Sequence, residues 1–170
     1  MFNFLKQKAV KALGGGVIKC HTTLTARKKE LDKNGVYQYT DEKRVVKDKM
    51  VTTAFVDFVV DQLIAETSAF GDFKYHENGL GTTAEAITDT AIETTTGIAR
   101  ATGTQVETDH DTYKSVATIT ADATEAWTEH GLFNASTAGT LMDRTVHGAI
   151  NVVSGNQVEY TFEFSVTAGS

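Results

Sequence analysis

Nine residues near the end of the chain limit the fold more than any other stretch. Val158, Tyr160, Phe162, Phe164 and Val166 alternate with Glu159, Thr161, Glu163 and Ser165. A period of two places the first set on one face of an extended strand and the second set on the other. Five such side chains buried together would contribute on the order of 10 kcal/mol of gross transfer free energy. Most of that is cancelled by the ordering of the chain. Upstream, Trp127 to Asn134 and Leu141 to Val146 are joined by short turns. Ala126 to Val166 is therefore a run of antiparallel strands.

The same pattern extends backwards. Strands are predicted over Val17–Ala26, Val36–Tyr39, Phe73–Glu77, Ile98–Glu107, Tyr113–Ala121 and Ala149–Val153. Asn34-Gly35 is a hairpin-turn dipeptide, and Thr108 to Thr112 and Ser154-Gly155-Asn156 are polar turns. Turn signals every 8–12 residues or so predict a mainly β chain, an antiparallel β-sandwich or jelly roll. The 27 threonines fit strands, because a β-branched side chain packs well on a pleated surface. One long helix is predicted at about 48–66, with Val51, Ala54, Phe55, Phe58, Val59 and Leu63 on one face and Asp48 as its cap. It should lie across a sheet. Ala84 to Thr96 has no period and should be a loop.

Met1 to Leu13 has Phe2, Leu5, Ala9, Ala12 and Leu13 on one side and Lys6, Lys8 and Lys11 elsewhere. It is predicted as a short helical arm, ended by the hinge Gly14-Gly15-Gly16. The expected organisation is an arm and hinge over 1–16 and a β domain over 17–170.

Composition narrows the function by exclusion. A net charge of −6 argues against a general nucleic-acid binder. One cysteine, Cys20, permits no internal disulfide and favours folding in a reducing cytoplasm. Lysines interrupt the N-terminal apolar residues, against a signal peptide. No run approaches the ~20 apolar residues of a membrane span.

The chain carries few residue patterns that imply chemistry. Gly79-Leu80-Gly81-Thr82-Thr83-Ala84 formally fits G-x-G-x-x-A, yet no helix should open there, so the expectation is a tight loop with glycine at positive φ. Glu107, Asp109, His110 and Asp111 crowd one turn but lack a calcium-loop pattern. His21, His76, His110, His130 and His147 show no ligand spacing, and each should sit singly on a sheet face. Cys20 and His21 point to opposite faces and form no dyad. Glu159 and Glu163 should lie on a solvated face. No catalytic residue, cofactor site or metal site is expected.

Three stretches together resemble a type of tailed-bacteriophage virion protein. The first is Gly79 to Ala84 followed by Thr88-Asp89-Thr90-Ala91-Ile92-Glu93, similar to a glycine–threonine loop with a downstream T-D-T-A-L-E element. The second is Thr128-Glu129-His130-Gly131-Leu132-Phe133-Asn134, similar to E-x-G-L-F-N. The third is Gly139-Thr140-Leu141-Met142-Asp143-Arg144-Thr145, similar to G-G-T-L-L-A-R-T. The likeness covers roughly Val45 to Val166. His130 and Asp143 depart from the apolar or small residues of the pattern. Glu129 and Arg144 are expected to pair across adjacent strands, and Gly131 to face a bulky neighbour or a bulge.

The resemblance implies a virion structural role without catalysis, made in the host cytoplasm. The first expectation is a capsid decoration, or cement, protein. It would bind the major capsid protein shell through Phe2, Phe4, Leu5, Lys6 and Leu13 and through domain loops. Self-association is expected, with a trimer as one form; nucleic-acid and membrane partners are not. A tail, neck or fibre-anchoring role is the alternative. Another is a carbohydrate-binding module with Trp127 and Tyr113 as its platform.

Overall fold

The computed structural model describes residues 19–47, 49, 51–64, 72–109 and 111–167. The arm, hinge and cap residue Asp48 expected from sequence lie outside them. Nine strands and one helix follow in the order β1 (Lys19–Leu31), β2 (Tyr37–Lys47), α1 (Thr53–Ile64), β3 (Tyr75–Gly79), β4 (Ala101–Thr102), β5 (Thr104–Asp109), β6 (Thr112–Thr120), β7 (Glu125–Phe133), β8 (Leu141–Val152) and β9 (Gln157–Thr167). Two antiparallel sheets result, one of five strands in the order β2-β1-β9-β6-β5 and one of four in the order β4-β3-β7-β8. Leu24, Ala26, Ile119, Val158, Tyr160 and Phe162 of the first sheet share one core with Trp127, Leu132, Ile150 and Val152 of the second.

The alternation in β9 behaves as expected over its first half. Val158, Tyr160 and Phe162 are fully enclosed. Phe164 is only partly buried and Val166 is 37% exposed, because the strand runs past the core toward α1. There Phe55 meets Phe164 and Phe73 edge-on at 5.6 and 5.2 Å.

The helix begins later than predicted. It starts at Thr53, and Thr52 is its N-cap: the Thr52 hydroxyl accepts a hydrogen bond from Phe55 N–H at 3.2 Å. Other boundaries differ too: β1 runs on to Leu31 and β2 to Lys47, past the predicted Ala26 and Tyr39. The predicted strand Ile98–Glu107 is two strands in different sheets, the chain crossing between them at Gly103, whose N–H donates to Lys74 O at 2.7 Å. Leu141–Val146 and Ala149–Val153 are one strand, β8, rather than two.

The outer edge of β8 takes hydrogen bonds from neighbouring segments at several points along its length. Thr52 donates its N–H to Met142 O at 3.0 Å and its hydroxyl to Leu141 O. Val146 N–H donates to Glu85 Oε1 at 2.7 Å, and Asn151 N–H to Glu42 Oε1 at 3.2 Å. Arg44 donates to Gly148 O at 3.0 Å and to Ala149 O at 2.5 Å. Side chains thus satisfy a row of main-chain groups that would otherwise invite another strand.

Candidate functional site

Two polar systems lie on opposite faces of the four-stranded sheet. The outer one is built around Arg144. Arg144 pairs in register with Gly131 of β7, and Glu129 stands one diagonal step away on the same face. Gly131 leaves the space: a Cβ there would lie 2.8 Å from Ile92 Cγ2. Into that space the 79–96 loop folds down over the sheet. Arg144 Nε–H donates to Glu129 Oε1 at 2.5 Å, and its terminal nitrogens donate to Asp89 Oδ2 (3.0 Å), Thr83 O (3.2 Å) and Glu93 Oε2 (3.3 Å). Glu129 also accepts from the N–H groups of Gly81 (3.0 Å), Glu93 (2.6 Å) and Thr94 (3.3 Å). Thr83 donates its N–H and its hydroxyl to Glu93, which holds that carboxyl below its ordinary pKa.

Glu129 is 0% exposed and Arg144 4%. The pair expected across adjacent strands is present and is buried, because the loop covers it. With four donors on its two oxygens, Glu129 has no lone pair left for a substrate or for acid–base work. The arrangement is a clamp that fixes a loop. Gly79 and Gly81 serve close approach rather than the positive φ expected of them. A Cβ at Gly79 would lie 2.5 Å from Thr94 O, one at Gly81 2.7 Å from Glu93 Cβ, and neither residue has positive φ.

The inner system corrects the expectation of solitary histidines. Register places His76 opposite Leu132 and Asn78 opposite His130, so His76, Asn78 and His130 share the core-facing side with Leu132. His76 Nδ1 lies 2.9 Å from His130 Nε2, and His76 Nε2 lies 2.8 Å from Ser115 Oγ on β6, tying the two sheets together. His130 stacks on Tyr160 with centroids 4.7 Å apart, and His147 lies 6.2 Å from the same ring. Burial pushes His76 down to about 3, His130 well below its ordinary value and His147 down, and it pushes Tyr160 up. All four are neutral near pH 7. His130 Nδ1, His147 Nε2, Asn78 Nδ2 and the Tyr160 hydroxyl are buried without a hydrogen-bond partner among the described residues. Nearby on β8, Asp143 is buried too. Burial, then the Glu85 charge, raises it to about 7, and the Thr145 hydroxyl donates to its Oδ1 at 2.6 Å.

Hydrophobic periodicity could not find this cluster, since polar residues occupy core positions. A bulge between Trp127 and Glu129 hides it further. It shifts the inward parity of β7 from odd residues to even ones.

Phe2, Phe4, Leu5, Lys6, Leu13 and His110 lie outside the described residues. Trp127 is fully enclosed and donates its Nε1–H to Glu125 at 2.9 Å. Tyr113 donates its hydroxyl to Phe73 O. The two therefore make no stacking platform. Cys20 and His21 are both exposed. Glu159 is not simply solvated: it accepts from Lys29 Nζ at 2.7 Å and from the Tyr39 hydroxyl at 2.6 Å. No known family, curated protein or solved structure matches this chain.

Proposed function

We propose that the chain is a non-enzymatic structural protein of a tailed-bacteriophage virion, acting as a capsid decoration protein. One observation supports this above others. The first of the three stretches that carry the resemblance ends dozens of residues before the other two, which share one hairpin, and all three meet at one guanidinium. Asp89, Glu93 and Thr83 come from the first, Glu129 from the second and Arg144 from the third. The first is brought onto the hairpin of the other two only by the fold of the chain. Their common role is to pin a threonine-rich loop against a sheet, which suits a component whose surface must keep its shape. The neighbouring central positions of the first and last strands suit a jelly-roll-like connectivity.

In this reading the 1–16 segment, with Phe2, Phe4, Leu5, Lys6 and Leu13, grips the major capsid protein, and many weak contacts add stability by multivalency. The test is addition of purified full-length chain and of a chain lacking residues 1–13 to undecorated particles. The full chain should occupy hundreds of sites. The truncated chain should keep its circular dichroism and thermal transition and lose occupancy. Full occupancy by the truncated chain overturns the arm; a dozen or fewer copies of the full chain per particle moves the protein to the tail or neck.

A further inference from the structure

The chain has two Asn-Gly pairs, Asn34-Gly35 and Asn78-Gly79, and the fold treats them oppositely. Asparagine before glycine is where a side-chain amide is most readily lost, because no side chain on the glycine hinders the approach of its nitrogen to the asparagine side chain. Asn34-Gly35 lies at the tip of the β1–β2 hairpin. Both residues are exposed, and a Cβ on Gly35 would meet nothing within 4 Å. Only local bonds hold the tip. Gly35 N–H donates to Asp32 O at 3.0 Å, and Asp32 Oδ1 accepts from Asn34 N–H at 2.8 Å and Val36 N–H at 3.0 Å. Such a tip opens without disturbing the sheets behind it. Asn78-Gly79 ends β3 in the interior. Asn78 is 1% exposed, is paired in register with His130, and accepts at Oδ1 from the Thr96 hydroxyl at 3.4 Å. The 79–96 loop closes over Gly79, with Leu80 N–H bonded to Thr94 O at 2.8 Å.

We propose that Asn34 is a site of spontaneous deamidation in the folded chain, and that the fold protects Asn78 from the same reaction. When the tip opens, the Gly35 amide nitrogen gives up its proton to hydroxide and attacks Asn34 Cγ. The bond from Cγ to the side-chain nitrogen breaks, that nitrogen leaves as ammonia, and a five-membered succinimide remains. Water then adds at either ring carbonyl. Cleavage at Cγ leaves aspartate. Cleavage at the main-chain carbonyl leaves isoaspartate, whose main chain runs through the former side chain. The sum is asparagine plus water giving aspartate or isoaspartate plus ammonia. Either product adds one negative charge to a chain of net charge −6 and sets it two residues from Asp32. Isoaspartate also lengthens the main chain of the turn by one atom. That strains the pairing of Leu31 with Tyr37 and the bond from the Tyr37 hydroxyl to Gly155 O at 2.9 Å. Asn78 lacks both requirements while the chain is folded, since its strand cannot open locally and water does not reach it. The reaction needs no partner, so it stands apart from the virion reading.

Incubation of the full-length chain at mildly alkaline pH and body temperature tests this, with peptide mapping by mass spectrometry. Each deamidation adds about 1 Da, and methylation by an isoaspartyl methyltransferase marks the isoaspartate fraction. In the folded chain Asn34 should react at least about tenfold faster than Asn78, Asn134, Asn151 or Asn156. In concentrated urea Asn78 should rise to the rate of Asn34, because both are then unfolded Asn-Gly pairs. D32A removes the carboxylate that holds the Asn34 and Val36 N–H groups, and should speed Asn34 about threefold or more. Asn78 is the internal control for that variant, and its rate should stay at the wild-type value. An Asn34 that stays intact in the folded chain yet reacts in urea overturns the site. Equal rates at Asn34 and Asn78 in the folded chain overturn the protection. A D32A chain in which both rates rise alike overturns the local opening of the tip.

Discussion

The two faces of the four-stranded sheet bury polar groups by opposite rules. Outside, Arg144 and Glu129 form an ion pair, and every Glu129 lone pair is used. Inside, His76, His130 and His147 are neutral, and several of their partners are missing among the described residues. A charge out of water is tolerable only when paired and fully hydrogen-bonded. A histidine has a second route, since it can give up its proton and enter the core uncharged. The first system should therefore fail when a partner is removed, and the second when protons are supplied.

The largest effect should come from breaking the outer pair. Arg144→Ala leaves Glu129 buried with its main-chain donors but without its countercharge. Removing one partner of a buried pair typically costs about 3–5 kcal/mol. Urea unfolding should show that loss. R144L/E129L should be less destabilised than either single variant, because no lone charge remains. A double variant as unstable as the sum of the singles would mean that the ion pair is not the source.

The inner system should respond to acid, with Asp143 opposing the histidines. The folded pKa of His76, about 3, lies below the ordinary 6.5. Between those values the unfolded chain binds a proton that the native chain refuses, so stability falls as pH falls. By pH 5 this group alone removes about 2 kcal/mol, and His130 and His147 act in the same direction. Asp143 has the opposite sign. Raised from 3.8 to about 7, it holds a proton in the native state that the unfolded state has released, so lowering the pH from 7 favours folding by a similar amount. D143N should therefore lose about 2 kcal/mol more than wild type between pH 7 and pH 5. Equal losses would show that Asp143 is already ionised in the core. His130 and Asp143 are the two positions where the chain departs from the pattern it resembles. Both are buried in forms neutral near pH 7 or just below, close substitutes for apolar residues.

The two systems were unequally legible in the sequence. Arg144 and Glu129 could be matched because they flank a turn between adjacent strands, yet nothing local told that a loop some 40 residues upstream would cover them. The loop itself was legible as irregular; its fixed shape comes from long-range hydrogen bonds that leave no period. β9 and the Asn34-Gly35 hairpin were legible because alternation and turn chemistry are local. The helix was found, but its start was set too early: Thr52 caps it because β8 holds that residue in place. His76 and His130 were out of reach. Their pairing depends on strand register across a bulge, and polarity in a core is the reverse of the signal that periodicity measures.

The smallest effect belongs to a third kind of polar contact, the Lys114–Glu163 pair on the outer face of the five-stranded sheet. The two stand directly opposite one another on β6 and β9 at 2.9 Å, with side chains 25% and 34% exposed. Their geometry is as good as that of the buried pair, so only desolvation and saturation differ. Water screens the attraction, and two long side chains must be ordered to make it. A double-mutant cycle with K114A and E163A should give a coupling of at most about 1 kcal/mol, reduced in high salt. The same cycle on Arg144 and Glu129 should exceed it several-fold and change little with salt. If the two couplings were equal, distance rather than burial would govern ion pairs in this protein, and the contrast between the faces of the sheet would lose its physical basis.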